Sequence, residues 1–224
     1  MITATNYKTD KNLFREMYNL LSKNPMKTSI NRPLGDFFYD QWVIKDEYIG
    51  TVWEILYNSL PVNDKGEARI IILESGHCYQ SHADIDDRYH LNLTGDEIFL
   101  VNLKHKQMYK LEQDGIWYNM DAGLHHSAVN FGRNPRVQLV VRKLLKRNTI
   151  KNPLSVCIKT SLEDLDLARY NFDNQISPWL NSANKDGYIS DFKYSPSEVK
   201  FIVEEQQLDQ LKKHIDKEFE IEIR

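Results

Sequence analysis

Residues 67–93 read EARIIILESGHCYQSHADIDDRYHLNL, and residues 117–142 read WYNMDAGLHHSAVNFGRNPRVQLVVR. In the first stretch the continuous apolar centre of ARIIILE suits a buried strand. RYHLNL alternates, placing Arg88, His90 and Asn92 on one face and Tyr89, Leu91 and Leu93 on the other. Between the two lies an H-x-D, His82 and Asp84, which follows a turn at Gly76; period two sets both side chains on one face. Six of the chain's seven histidines fall between His77 and His126. His82, Asp84 and a distal His126 offer two nitrogens and a carboxylate, a set that leaves three positions of an iron open for co-substrate and O2. Ten residues after His126 comes Arg136. Its fork of donors suits a dicarboxylate, and it opens a very apolar strand where an unpaired inward charge would be costly.

Working outward, residues 10–24 predict a helix, with Asp10 able to cap it and Leu13, Phe14, Met17, Tyr18, Leu20 and Leu21 forming an apolar stripe before Pro25. FFYDQWVI at 37–44 is strand-like, and residues 46–60 predict a second helix ending at Pro61. EIFLVNL, KQMYKLE and IWYNMD continue the strands after RYHLNL, with turns at TGD and QDG. HSAVN and RVQLVV flank FGRNP, a connection of hairpin size. Helices followed by about eight strands predict an α+β chain with helices packed on one side of a barrel or jelly roll. Composition changes at KLLKRNTIKNP, 143–153. Beyond it the order is strand, helix, strand, strand, helix, strand, the βαββαβ of a ferredoxin-like unit. Two domains are therefore expected, 1–148 and 149–224.

The whole-chain numbers exclude more than they assign. Of 224 residues, 41% are hydrophobic and 27% charged, so a packed core is feasible. A net charge of -3 argues for neither nucleic acid nor an anionic membrane as partner. Cys78 and Cys157 lie far apart and form no metal-like pair, and the first residues lack the order of a secretory signal. The expectation is a reduced, cytoplasmic setting with no membrane span.

His125 and His126 compete for the third ligand position, and neighbours on a strand point to opposite faces, so at most one enters the barrel. His126, Ala128 and Asn130 share a face, which leaves His125 as a supporting or surface group. His77 and His105 have no partner at a useful spacing. Arg142 and the nearby Lys143, Lys146 and Arg147 are read as a solvated linker edge.

From Gly50 to Arg142, about ninety residues, the chain resembles the aspartyl/asparaginyl β-hydroxylase family of Fe(II)/2-oxoglutarate oxygenases, which includes free-proline hydroxylases. The likeness rests on Gly76, His82 and Asp84; on Arg88, His90 and Leu93; on Asp121, His126 and Asn130; and on Arg136, Leu139 and Val140. GTVW at 50–53 and LP at 60–61 resemble the helix before that family's core. The spacing from Asp121 favours His126 over His125. The resemblance implies a double-stranded β-helix, a metal triad of His82, Asp84 and His126, and Arg136 on the distal carboxylate of 2-oxoglutarate, with Arg88 and His90 helping to anchor that co-substrate. It also implies an amino-acid substrate, free or within a peptide. The gap from Asp84 to Arg88 is short, which implies a small lid, and the chain after residue 150 resembles nothing in the family's core. The alternative is a non-oxidative cupin-like module that binds a metal or a small acid.

Overall fold

The computed structural model describes residues 2–21, 28–35, 39–195, 197–215 and 219–224, with 18–21 as backbone only. Strand β1 (Ile2–Lys8) and helix α1 (Leu13–Leu21) come first, then the short strands β2 (Thr28–Ser29), β3 (Asn31–Pro33) and β4 (Trp42–Ile44), and helix α2 (Val52–Asn58). Residues 22–24 of the expected first helix, and 37–38 of the expected strand before β4, lie outside the described residues. The helix expected at 46–60 is divided into a single 3-10 turn, Asp46–Tyr48, and α2, because Gly50 takes a left-handed φ of 74° between them. Strand β1 was not foreseen; it pairs with β9 and closes one side of the larger sheet.

Seven strands follow: β5 (Lys65–Leu73), β6 (Arg88–Asn92), β7 (Ile98–Asn102), β8 (Gln107–Lys110), β9 (Ile116–Met120), β10 (His126–Asn130) and β11 (Arg136–Lys143). They divide between a six-stranded sheet, ordered β1-β9-β6-β11-β5-β2, and a three-stranded sheet, β10-β7-β8. Residues 77–82 join the smaller sheet through bridges from Cys78 to Val129 and from His82 to His126. From β5 to β11 the chain thus passes back and forth between two sheets, and the core is a jelly roll.

The alternation in β6 and β11 decides what each face of the larger sheet carries. Tyr89, Leu91, Val137, Leu139 and Val141 point outward and bury themselves with Phe14 and Met17 of α1 and Val52, Trp53 and Leu56 of α2. The opposite face holds Arg88, His90 and Asn92, aligned in register with Arg142, Val140 and Gln138. This inner face is polar although most of it is buried. Trp117 of β9 is fully buried in the helix-side cluster, and its indole N–H donates to Ser59 Oγ at 3.0 Å. Trp117→Ala should cost about 3–5 kcal/mol of folding stability, the usual range for losing a buried aromatic. Urea unfolding checks this, and a loss within experimental error would mean that α2 and the sheet are not a shared core.

FGRNP does not close a hairpin. Strand β10 pairs with β7 while β11 pairs with β5 and β6, so the loop crosses from one sheet to the other. Asn130 holds that crossing: its Nδ2 donates to Leu73 O (3.0 Å) and Asn134 O (2.9 Å), and its Oδ1 accepts from the Gly132 N–H at 3.0 Å.

After the crossover to residue 153 come β12 (Pro153–Thr160), α3 (Leu165–Asn171), a π turn (Phe172–Ile176), α4 (Ser177–Lys185), β13 (Ile189–Ser195), β14 (Glu198–Glu204), α5 (Leu208–His214) and β15 (Phe219–Ile223). The strands form one antiparallel sheet ordered β13-β14-β12-β15. The strand and helix order is the expected one. The single helix expected from Ser161 toward Trp179 is instead two helices joined by the π turn, and α3 starts where Asp164 Oδ1 caps the N–H groups of Asp166 and Leu167. This unit has its own apolar cluster around Val156, Phe172, Leu180, Phe192 and Phe201, which also takes in Ile85 from the loop beside Asp84. Among the described residues, no helix is long and apolar enough to cross a membrane.

Candidate metal centre

His82 and His126 face each other across the bridge. The N–H of each donates to the carbonyl of the other, at 3.0 and 2.9 Å, so both side chains leave the same face. The ring centroids are 4.5 Å apart. Each ring turns its Nδ1 to the carbonyl two residues earlier, Gln80 O for His82 and Leu124 O for His126, both at 2.8 Å. A backbone acceptor at Nδ1 fixes the proton there and leaves the Nε2 lone pair free. Both Nε2 atoms look toward Asp84 Oδ2, at 3.8 Å from His82 and 3.6 Å from His126.

Asp84 is set by its neighbours. Its N–H donates to Ala122 O at 2.8 Å, and the preceding Ala83 N–H donates to Asp173 O at 3.0 Å. Arg88 Nη2 takes its Oδ1, while Oδ2 is buried with no hydrogen-bond partner. Burial pushes this carboxyl up, but Arg88, and then the two histidines, more than offset that and hold it below the ordinary range. Burial holds the His126 imidazole down, to about 4, against the pull of Asp84. A neutral His126 imidazole and an ionised Asp84 carboxylate are protonation states that a divalent cation needs. The three donor atoms lie within 4.8 Å of one another, and an orphaned buried oxygen sits between two free ring nitrogens. The residues fit a metal ion.

Charges alternate away from Asp84. Arg88 Nε meets Asp86 Oδ1 at 3.4 Å, and Arg142 Nη2 takes Asp86 Oδ2. Arg142 Nη1 also reaches Glu67 at 3.4 Å, and Arg69 completes the series at 2.5 Å from Glu67. Arg142 is therefore not a solvated linker residue; its side chain is 16% exposed and sits in this chain of ion pairs. Its place was available from period two, since residues 136, 138, 140 and 142 share the inner face.

Deeper in the barrel lies Arg136, 2% exposed, whose Nε and Nη1 have no hydrogen-bond partner. Burial pulls the guanidinium down to about 10. His90 is buried beside Gln138, whose amide donates to Asn92 Oδ1. Burial, then Arg136 and Arg88, push His90 down to about 3, so the ring is neutral. Tyr79, which sequence reasoning passed over, lies close enough for Arg136 to oppose the upward push of burial on its phenol. Its N–H donates to Ala128 O at 2.9 Å, which seats it on the smaller sheet.

A cavity of about 400 Å³ opens on the metal group. Tyr79, His82 and Asp84 line it from the barrel, and Phe172, Asp173 and Ser177 from the C-terminal unit. His125 is turned away: its Nε2 lies 3.0 Å from Asn174 O, and it lines a separate cleft. His77 and His105 also stand outside the group.

No protein-family model matches this chain, and no curated protein matches it. Among solved structures, a prolyl-4-hydroxylase from Pseudomonas putida is similar over 64% of this chain and 91% of its own, at 13% identity and a TM-score of 0.39. A cupin domain from Bordetella pertussis Tohama I is similar over 54% of this chain and 97% of its own, at 12% identity and a TM-score of 0.32. Likenesses of this size do not decide the chemistry, which rests on the side chains.

Proposed function

We propose that the chain is an Fe(II)/2-oxoglutarate-dependent dioxygenase that hydroxylates an amino acid, free or within a peptide. In this reading the 1–148 unit is a double-stranded β-helix and the 149–224 unit is ferredoxin-like. The observation that carries it is Arg136: a buried guanidinium with two unpartnered nitrogens, inside the same barrel as a His-Asp-His group. A bare metal-binding barrel has no need of that charge, and an uncompensated buried cation is strongly destabilising. A diacid reaching from the metal group supplies the missing anion.

His82, Asp84 and His126 would hold Fe(II). With 2-oxoglutarate and O2, the metal supplies oxidation of an unactivated C–H bond, the co-substrate being decarboxylated to succinate. The chain's part is placement. Arg136 takes the far carboxylate with charge-assisted hydrogen bonds. Arg88 fixes Asp84 by its Oδ1 and leaves Oδ2 for the metal. His90, buried and neutral, completes the co-substrate's surroundings together with Arg88. The test is anaerobic: Fe(II) and 2-oxoglutarate together should give a visible metal-to-ligand charge-transfer band, and the band's absence would exclude this reading. Succinate release, screened over amino acids and peptides with mass detection, identifies the substrate.

The two units meet at the metal loop. Asn181 Nδ2 donates to Asp84 O at 3.2 Å, and Lys185 pairs with Asp87 at 2.9 Å. A chain truncated after Lys151 should keep a folded barrel by near-ultraviolet circular dichroism and bind Fe(II) more weakly, because the loop loses these partners and exposes Ile85. A molten barrel would show that the units are not independent.

A further inference from the structure

The cavity wall opposite the metal group comes from the join of α3 and α4. There the Ser177 N–H bonds to Phe172 O, the i to i+5 spacing of a π turn. The widened turn brings Phe172, Asp173 and Ser177 onto one face that lines the cavity, with Arg169 one turn earlier. π turns inside α-helices are frequent at functional sites. The Phe172 ring packs on Tyr194 from β13, with centroids 5.1 Å apart, and both rings line the cavity with Asp173.

Two groups on this wall are placed to take a ligand. Ser177 is 1% exposed, and its Oγ makes no hydrogen bond. The Asp173 side chain is only 24% exposed, and its ion-pair contact among the described residues is Arg169 Nε at 3.6 Å. That arginine is 64% exposed at the rim, so it can swing away at little cost. The backbone of Asp173 is fixed by Ala83, next to a metal-group residue, which sets the carboxylate's position relative to the metal group. At about 400 Å³, the cavity lies toward the lower end of the range for small-molecule sites.

We infer that the C-terminal unit supplies the recognition subsite for the primary substrate, and that this substrate is a small molecule bearing an ammonium group. Asp173 takes the ammonium, Ser177 Oγ accepts a second N–H from it, and Phe172 and Tyr194 flank the adjoining carbons. This assignment deepens the oxygenase reading and rests on it, since it places the ligand beside the metal group.

The probes are the free L-amino acids and their N-acetyl counterparts, in which a neutral amide replaces the ammonium. Saturation-transfer NMR on the full, metal-free chain reads binding, and line broadening on the Mn(II)-loaded chain reads proximity to the metal. At least one free amino acid should bind and be broadened, and its N-acetyl form should bind at least ~10-fold more weakly, as expected for losing a charged hydrogen bond. Asp173→Asn should reproduce that loss without changing Mn(II) affinity, and Ser177→Ala should weaken binding by a smaller factor. The inference is overturned if no free amino acid binds, if the acetylated forms bind equally well, or if Asp173→Asn binds like the parent chain. Failure of the oxygenase reading shows separately, as absence of the anaerobic Fe(II)/2-oxoglutarate charge-transfer band in the parent chain.

Discussion

Arg136→Ala should leave Fe(II) binding nearly intact and weaken 2-oxoglutarate by about 2–5 kcal/mol, the range for truncating one partner of a buried charged pair. That is roughly 30- to 5,000-fold in Kd. The residue opens β11 on the inner face and is 2% exposed, yet two of its three nitrogens have no partner. In the parent chain the co-substrate therefore removes an existing penalty as well as adding hydrogen bonds. The alanine variant has no such penalty to relieve, and its folding stability in the absence of ligand should be equal to or above the parent's. Arg136→Lys should rescue binding only in part, because an ammonium keeps the charge and loses the planar fork. Calorimetry on iron-loaded, oxygen-free protein decides the matter. An alanine variant that binds 2-oxoglutarate like the parent would remove the main support for an oxygenase.

The second large effect is at the metal. His82→Ala or His126→Ala should each abolish tight Fe(II) binding, since each removes one of three donors within 4.8 Å of one another. His125→Ala should leave most of it, because that ring faces Asn174 and the neighbouring cleft. Arg88→Ala should fall between these: Asp84 keeps its place through Ala122 but loses the guanidinium that holds Oδ1. Metal titration of the four variants orders them, and a greater loss in His125→Ala than in His126→Ala would reverse the assignment of the adjacent pair.

What was legible in the sequence follows from period two. Alternation in RYHLNL sorted Tyr89, Leu91 and Leu93 from Arg88, His90 and Asn92, and the folded chain keeps that division. The His82–Asp84–His126 grouping was legible because a turn at Gly76, with φ of 75°, starts a short segment that lies along β10. The path of FGRNP was not, since a five-residue connection can join paired strands or cross between sheets, and the long-range pairings of β10 and β11 decide which. Arg142 was misjudged because its neighbours Lys143 and Lys146 have the composition of a solvated edge. The wall at 169–177 was invisible for a different reason. Its link to the metal loop is a backbone hydrogen bond from Ala83 to Asp173, which any residue pair can make and which leaves no mark on the side-chain pattern.

That hydrogen bond has a consequence for how the protein is made. Asp84 leaves the ribosome about ninety residues before the segment that fixes its loop. At about 5–20 residues per second, the interval is roughly 5–18 seconds. Throughout it, a nascent barrel carries His82 and Asp84 on a loop whose neighbour Ala83 has its N–H unclaimed and whose Ile85 is still in water. The C-terminal unit thus closes the metal loop only after the barrel strands have been made, by taking up the Ala83 N–H and covering Ile85.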